Sequence, residues 1–394
     1  MDAKKNRMSV GDFLTKYTMI IALVVVFILF YFITDGRLLM AQNMSNLMLQ
    51  NGYVLVMACG MLLCILTGGN IDLSVGSVVC FCGGVGAMMM SKGINMWIAV
   101  AAMLLIGLLI GMFQGFWVAY VKVPPFIATL AGMYGFRGLS NVVLNGLTIG
   151  VNDETFLKVF GGGAECYIPD FLGSGEGLNL TCIVIGVVAI LIFIGLEIKN
   201  RINSKMRGYE TKPFINELAW IIIISAVGFW LIFKLANHKG IPTALVWIAL
   251  VVLVYGYVTT KTRTGRYLYA VGGNEKATRL SGINTKRVYF IAYANMGFLA
   301  ALAGIIVLAR MTNAAPTYGQ GYEMDAIGAC FIGGASAYGG VGTVGGTIVG
   351  ALLMGVITQG MVIAGIDANY QPVVKGLVLL LAVIFDVLSK KEKK

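Results

Sequence analysis

Charged side chains are scarce in this sequence: only 12% of its 394 residues are Asp, Glu, Lys or Arg, while 58% are hydrophobic. Soluble domains carry about 25% charged residues, so this composition excludes a water-soluble globular enzyme. The mean hydropathy of +0.85 instead predicts a polytopic membrane protein, in which each helical crossing needs about 20 mostly apolar residues.

Several reactive groups are also missing or isolated. One histidine, His238, leaves little for histidine-based catalysis or histidine-ligated metal sites. The seven cysteines predict packing residues, because six lie in apolar runs and Cys166 stands alone in a polar segment. No GxxxxGK[ST] motif occurs, and the GxGxxG at 340–345 opens a hydrophobic span instead of following a soluble strand. We therefore predict no catalytic residue, no metal site and no cofactor site in this chain.

The basic residues are unevenly distributed along the chain. The net charge of +11 could suggest nucleic-acid binding, but Lys and Arg cluster in four hydrophilic segments, 1–16, 198–216, 259–287 and 390–394. Such clustering is typical of cytoplasmic loops, so we predict no nucleic-acid partner. The first apolar run has no small-residue cleavage site and is interpreted as an uncleaved anchor.

Twelve apolar segments are candidate membrane crossings, four of them weak and interrupted by glycine. If the basic segments share one side, an even number of crossings separates neighbours, which requires the weak segments to cross as well. The sequence predicts an all-α polytopic membrane protein with about 10 core transmembrane helices plus an inserted pair, about 12 in total, and both termini cytoplasmic. Segment 323–336 is alternatively re-entrant. The clear candidates are 17–33, 47–67, 96–120, 179–197, 217–235, 241–258, 288–310 and 373–389; the weak ones are 73–90, 125–144, 323–336 and 340–364.

The polar segment 145–178 then lies outside and is rich in acids. It is either a docking surface for a soluble partner or a solvated loop.

Two acids lie beside glycine-interrupted spans, Asp72 in the first half and Asp325 in the second. Ionisable groups at membrane depth cost at least ~2.5–3.5 kcal/mol, and paired interrupted helices indicate a transport path. Asp72 either lines a polar cavity or, like Asn70, caps the helix that follows. Arg137 either pairs inside the protein or lies at the outer interface.

Small residues recur at spacings of four, at Gly107, Gly111 and Gly115 and again at Gly346 and Gly350. Residues at this spacing share one helix face, so both sets predict close helix packing.

A soluble segment near residue 280 carries helix signals at both ends. Asn274 is a good N-cap with Glu275 in the first turn, while Arg279 suits the last turn and Gly282 the residue after the C-cap. This pattern predicts an ordered cytoplasmic helix of about two turns. Such a helix is either a rigid contact for a cytoplasmic motor or an interfacial structural element.

These segments resemble the permease subunits of bacterial monosaccharide ABC importers. Asn70 departs from the commoner Gly-Gly-Ile-Asp form, and segment 198–258 carries two spans that the compact ribose-type permeases lack, which resembles the longer xylose or multiple-monosaccharide permeases. The match rests on 67–77, on 125–130 with 137–138, on 265–283 and on 322–342.

The resemblance implies one transmembrane permease domain, 1–394, with a first half at 1–197, the insertion at 198–258, and a coupling loop and second half at 259–394. It implies a homodimer in the bacterial cytoplasmic (inner) membrane, with a cytoplasmic ATP-binding subunit that holds ATP and Mg²⁺ and an extracytoplasmic sugar-binding protein. The expected translocation path comprises Asn70, Asp72, Ser74, Phe126, Thr129 and Asp325. The expected coupling helix comprises Asn274, Glu275, Lys276, Arg279, Leu280, Ser281 and Gly282.

The function that follows is import of a xylose-like or other monosaccharide by alternating access. The alternatives are the same architecture carrying nucleosides or another small polar solute, and a stand-alone secondary transporter, which the scarcity of buried carboxylates and histidines disfavours. Charge reversal at Glu275 and Arg279 is expected to abolish transport without loss of folding.

Overall fold

The computed structural model describes residues 10–163, 165–173, 177–209 and 213–391, with side chains described between 19 and 384. The basic residues at 4, 5, 7, 212, 393 and 394 and the acid at 176 lie outside these ranges. The described chain is predominantly helical, with one two-stranded ladder. The helices are α1 Val10–Ile33, α2 Ala41–Leu66, α3 Val75–Ser91, α4 Met96–Phe116, α5 Pro125–Leu144, α6 Glu154–Phe160, α7 Leu180–Met206, α8 Phe214–Ala236, α9 Thr243–Lys261, α10 Arg263–Gly273, α11 Glu275–Leu280, α12 Thr285–Met311, α13 Tyr322–Ile332, α14 Val344–Ile363 and α15 Gln371–Lys391.

Each of the twelve apolar segments coincides with one of these helices. Within the described ranges, seven helices are long and apolar enough to cross a membrane: α2, α4 with its π-helical extension Trp117–Val121, α7, α8, α9, α12 and α14. Of the weak candidates, 125–144 coincides exactly with α5, and the other three differ from the sequence expectation at their ends. Helix α3 begins at Val75, two residues later than expected, and α13 has only 11 residues, too few to cross alone.

Helix α12 forms the centre of the bundle, where it packs against α4, α2 and α3. It is apolar or small on nearly every face, as expected of a helix surrounded by protein. Gly107, Gly111 and Gly115 of α4 lie directly against the backbone of α12. Gly346 and Gly350 likewise bring α14 against Gly333 and the Ala329 carbonyl of α13. At these positions a larger side chain would separate the helices.

The two interrupted regions meet at one end of the bundle, here called the α11 end. The Gly340 N–H donates to the Leu66 carbonyl over 3.0 Å, which joins the end of α2 to the α13–α14 connection. Gly69, with φ +75°, lies against the Ala337 carbonyl, and Gly272 of α10 lies against Leu66 and Gly340. This backbone seam therefore links both helix breaks to the helix that precedes α11.

At the opposite end, strand β1 (Ile149–Gly150) pairs antiparallel with β2 (Asn313–Ala314). The neighbouring segment 145–178 is folded onto this end, since α6 buries Phe156 and Phe160 and Phe160 stacks on Trp247 of α9 with ring centroids 5.2 Å apart. The Thr243 N–H donates to the Cys166 carbonyl over 2.8 Å. The inserted helix α9 thus supports the described part of this segment, here called the cap.

Asp170 fixes the exit of this cap into α7. Its Oδ1 accepts the Thr181 N–H over 3.0 Å and the Thr181 hydroxyl over 2.8 Å. Helices α7 and α8 themselves pack chiefly on each other and leave most of their apolar surface exposed, as expected of helices that face lipid.

Candidate functional site

A buried polar chain occupies the connection between α2 and α3. The Gln114 Nε2 of α4 donates to the Ser74 Oγ over 2.6 Å, and that hydroxyl donates to the Asp72 Oδ1 over 2.6 Å. The same carboxylate oxygen accepts the Ser74 N–H over 2.9 Å. All three side chains are buried. The α2–α3 connection is therefore held to α4 through a carboxylate, a hydroxyl and an amide.

The two predicted cap residues behave differently. Ser74 occupies the N-cap position of α3, and the Asp72 Oδ1 accepts the Ser74 N–H, so Asp72 satisfies a backbone donor at the start of the helix. Asn70 points back toward α2, where its Nδ2 donates to the Thr67 Oγ1 over 3.2 Å, and it does not cap α3.

A second polar cluster surrounds Asp325 in the first turn of α13. Its Oδ1 lies 2.8 Å from the Lys375 Nζ of α15, and its Oδ2 accepts the Tyr53 hydroxyl of α2 over 2.6 Å. Tyr53 stacks on Tyr322 at 3.9 Å between centroids. Asp325 is almost fully buried and Lys375 mostly so, with side-chain exposures of 4% and 18%. The structure brings Asp72 and Ser74 together but places Asp325 in this separate cluster.

Arg137 pairs inside the protein. From α5, its Nη1 donates to the Tyr318 carbonyl over 2.6 Å and to the Pro316 carbonyl over 3.4 Å. Both carbonyls belong to the irregular segment that precedes α13. Non-helical backbone within a membrane needs internal hydrogen-bond partners, and Arg137 supplies one.

The two candidate path residues on α5 differ in exposure. Phe126 is 54% exposed, whereas Thr129 is buried and donates its hydroxyl to the Pro125 carbonyl over 2.9 Å. Neither residue contacts the Asp72 chain through a described hydrogen bond.

A cleft of about 540 Å³ runs between α4 and α5. Its walls are almost wholly apolar, and Gln114 is the polar residue among those that line it. The Gln114 Oε1 is buried and has no hydrogen-bond partner. The cleft is lined by Phe113, Gln114, Trp117, Val123, Ile127, Ala128, Ala131, Gly132, Gly135, Phe136 and Leu139.

Helix α11 has the caps that the sequence indicates. The Asn274 Oδ1 accepts the Ala277 N–H over 2.9 Å, Arg279 lies in the last turn, and Gly282 adopts φ +83°. Lys276, Arg279, Leu280, Ser281 and Gly282 are exposed. Leu280 is 79% exposed, so this short rigid helix presents an apolar tip between basic side chains.

Glu275 faces the helix bundle. Its carboxylate accepts the hydroxyls of Thr285 and Tyr289, each over 3.1 Å, and lies 3.5 Å from the Lys122 Nζ. Burial acts to raise the pKa of Glu275, but Lys122 and the two hydroxyls outweigh it and lower the pKa. Glu275 thus attaches α11 to α12 and to the α4–α5 turn, so its reversal would disturb the position of α11 itself.

Sequence reasoning missed Gln114, Lys375, Tyr53 and the contact of Lys122 with Glu275. Gln114 and Lys375 are polar residues inside apolar spans, a signal that marks functional or pairing groups in membranes. Tyr53 and Lys122 carry no such signal, because their partners lie far away in the sequence.

Comparison with known proteins adds to this geometry. The family described as branched-chain amino acid transport system / permease component matches residues 43–165 and 173–383. The xylose transport system permease protein XylH of Escherichia coli (strain K12) is 35% identical over 381 residues, 95% of this chain and 92% of that protein. XylH of Haemophilus influenzae is 36% identical over 377 residues, 95% and 97% of the two chains. The ribose import permease protein RbsC of Escherichia coli (strain K12) is 36% identical over 351 residues, 89% and 87%. No solved structure matches the chain.

Proposed function

The chain belongs to the family of branched-chain amino acid transport system permease components, and we propose that it is the membrane-spanning subunit of an ATP-driven monosaccharide importer. The observation that carries the proposal is α11, a capped helix held to the bundle by Glu275 with Leu280 projecting outward. A permease without a phosphate-binding loop needs a surface through which an ATPase acts, and α11 offers one.

We propose twelve crossings with both termini in the cytoplasm. Helix α13 and the connection after it would cross together, because this stretch extends from β2 to the Leu66 seam at the α11 end. The α11 end would then be cytoplasmic, which agrees with the basic segments, and the β1–β2 end would face outward. By similarity to its relatives the membrane is the bacterial inner membrane.

Three kinds of partner follow from the proposal. A cytoplasmic subunit would hold ATP and Mg²⁺ and bind α11. A soluble sugar-binding protein would deliver cargo to the β1–β2 end, and a second copy of this permease would complete the path. That path would run along α5 past Phe126 and Thr129 and beside the Asp72 chain, while the Asp325 cluster would fix α13 next to it.

The relatives named for xylose are 35–36% identical to this chain over 95% of its length. On that similarity we propose a xylose-like pentose as cargo. A sugar is uncharged, so a mostly apolar path with few hydrogen-bonding groups is physically sufficient.

The proposal is tested by purifying the chain in mild detergent from its native membrane and identifying stoichiometric partners. We expect an ATP-binding protein to co-purify, and the double variant Arg279→Glu/Leu280→Asp to lose it while keeping its elution volume. Lys92→Glu is the matched control, since it reverses an exposed charge near the opposite end. A chain that purifies alone and moves xylose in liposomes without ATP would instead be a secondary carrier.

A further inference from the structure

The α4–α5 cleft is long and follows one face of α5. The face of α5 that lines it runs from Ile127 to Leu139, about 18 Å at 1.5 Å per residue. That distance is more than half of the ~30 Å hydrocarbon core of a bilayer. Small residues, Ala128, Ala131 and Gly135, keep its middle open.

Gln114 gives this cleft one unused hydrogen-bond acceptor. Its Nε2 is committed to Ser74, which leaves the buried Oε1 unpartnered in a side chain that is 2% exposed. An unpartnered buried carbonyl is costly, and because this oxygen is closed off in the present conformation, a hydroxyl would reach it as α4 and α5 separate during transport. Gly132 permits the arrangement, since a Cβ there would lie 2.5 Å from the Gln114 Nε2.

We propose that the α4–α5 cleft is a sugar-binding stretch of the translocation path, in which the Gln114 Oε1 accepts a hydrogen bond from a hydroxyl of the passing monosaccharide. The proposal rests on the importer function above. The aromatic rings of Phe113, Trp117 and Phe136 offer flat apolar surfaces to the C–H faces of a sugar ring. A single acceptor among apolar walls binds weakly, as a transport path requires if the solute is to leave again.

The Gln114 amide favours a sugar over a lipid acyl chain as the occupant of the cleft. An acyl chain would fill the apolar walls but would leave the Gln114 oxygen without a donor. A sugar hydroxyl satisfies that oxygen, and a second copy of the permease would close the open side of the cleft.

Two glycines on α5 provide a matched pair of probe sites. A Cβ at Gly135 or at Gly138 meets no atom within 4 Å, and Gly135 lines the cleft whereas Gly138 does not. The seven native cysteines are all buried, so the parent chain should give little background labelling. The probe is a charged, membrane-impermeant methanethiosulfonate, applied to the full complex in liposomes with D-xylose as the solute.

We expect Gly135→Cys to be labelled and D-xylose transport to slow that labelling several-fold, with no such protection of Gly138→Cys. Labelling of Gly135→Cys only by a lipid-soluble maleimide would identify a lipid groove and overturn the proposal. An equal labelling rate with and without D-xylose in an actively transporting complex would overturn it as well. Either failure leaves co-purification of the ATPase, and so the importer function, untouched.

A second test addresses Gln114 itself. Gln114→Leu removes the free oxygen together with the bond to Ser74, whereas Ser74→Ala removes only that bond. We expect Gln114→Leu to lower kcat/KM for xylose about tenfold, the worth of one hydrogen bond, and Ser74→Ala to lower it less. An equal loss in the two variants would assign the effect to the Asp72 chain and contradict direct contact with sugar.

Discussion

The buried ion pair between Asp325 and Lys375 allows a sharp test of what holds α13 in place. Lys375→Met removes the ammonium and leaves the carboxylate with the Tyr53 hydroxyl as its remaining described partner. Removing one member of a buried pair costs about 3–5 kcal/mol, because a charge stays buried and uncompensated. The 4% exposure of Asp325 leaves water almost no access to that charge, so we expect a loss in this range.

The double variant Asp325→Asn/Lys375→Met tests whether the unpaired charge, and not the loss of packing, causes the instability. The Asn oxygen can still accept from Tyr53 and the Met side chain fills the space of the lysine stem, so no charge remains. We expect the double variant to regain most of the loss and to unfold within about 2 kcal/mol of the parent. Asp325→Asn alone should cost less than Lys375→Met, since Lys375 is 18% exposed and a lysine can extend toward water.

The assay is the free energy of unfolding in mixed micelles, measured by titration with a denaturing detergent. A double variant as unstable as Lys375→Met would refute the reasoning, because the cost would then come from packing or from the hydrogen bond and not from an unpaired charge.

Three further predictions concern α11, the backbone seam and Asp170. Glu275→Lys should detach α11 and reduce sugar uptake by placing two ammonium groups together, and Lys122→Glu in the same chain should restore uptake; a double variant no better than Glu275→Lys would contradict this attachment. Gly272→Ala should destabilise by about 1–3 kcal/mol through overpacking of the seam, whereas Gly273→Ala, whose Cβ meets nothing within 4 Å, should cost far less in the same unfolding titration; equal costs would rule out the seam as the cause. Burial acts to raise the pKa of Asp170, but the donors at the start of α7 lower it to about 2, so its support of the cap should be complete above pH ~4 and lost as the pH falls toward 2. Hydrogen exchange of segment 165–181 measures that loss, and Asp170→Asn should show none of this pH dependence.

The helices were largely predictable from sequence because each depends on local information. Hydrophobic runs predicted the spans. At α11, Asn274 and Gly282 predicted the two ends, because these residue types favour the N-cap and a positive φ. The start of α3 was predicted less well, since Asp72 bonds to the N-cap residue Ser74 and no local pattern separates this use of an acid from an N-cap.

The polar clusters could not be predicted, because their partners are far apart in the chain. Asp325 was a candidate from its position, yet its contacts with Tyr53 and Lys375 depend on how α2 and α15 pack around α13. Gln114 went unnoticed as one amide in a long apolar helix. Its significance appears only where α5 leaves a cleft beside it.

The central place of α12 has a consequence for biogenesis. The glycine face of α4 is covered by α12, and about 175 residues separate Gly115 from Phe290, which takes on the order of ten to thirty seconds to synthesise at about 5–20 residues per second. During that interval the first half of the protein stays in the bilayer with its closest packing surface open to lipid. The nascent chain is therefore most exposed to mispairing and to membrane proteases before its last third has left the ribosome, and variants that slow the arrival of α12 should lower yield without altering the finished bundle.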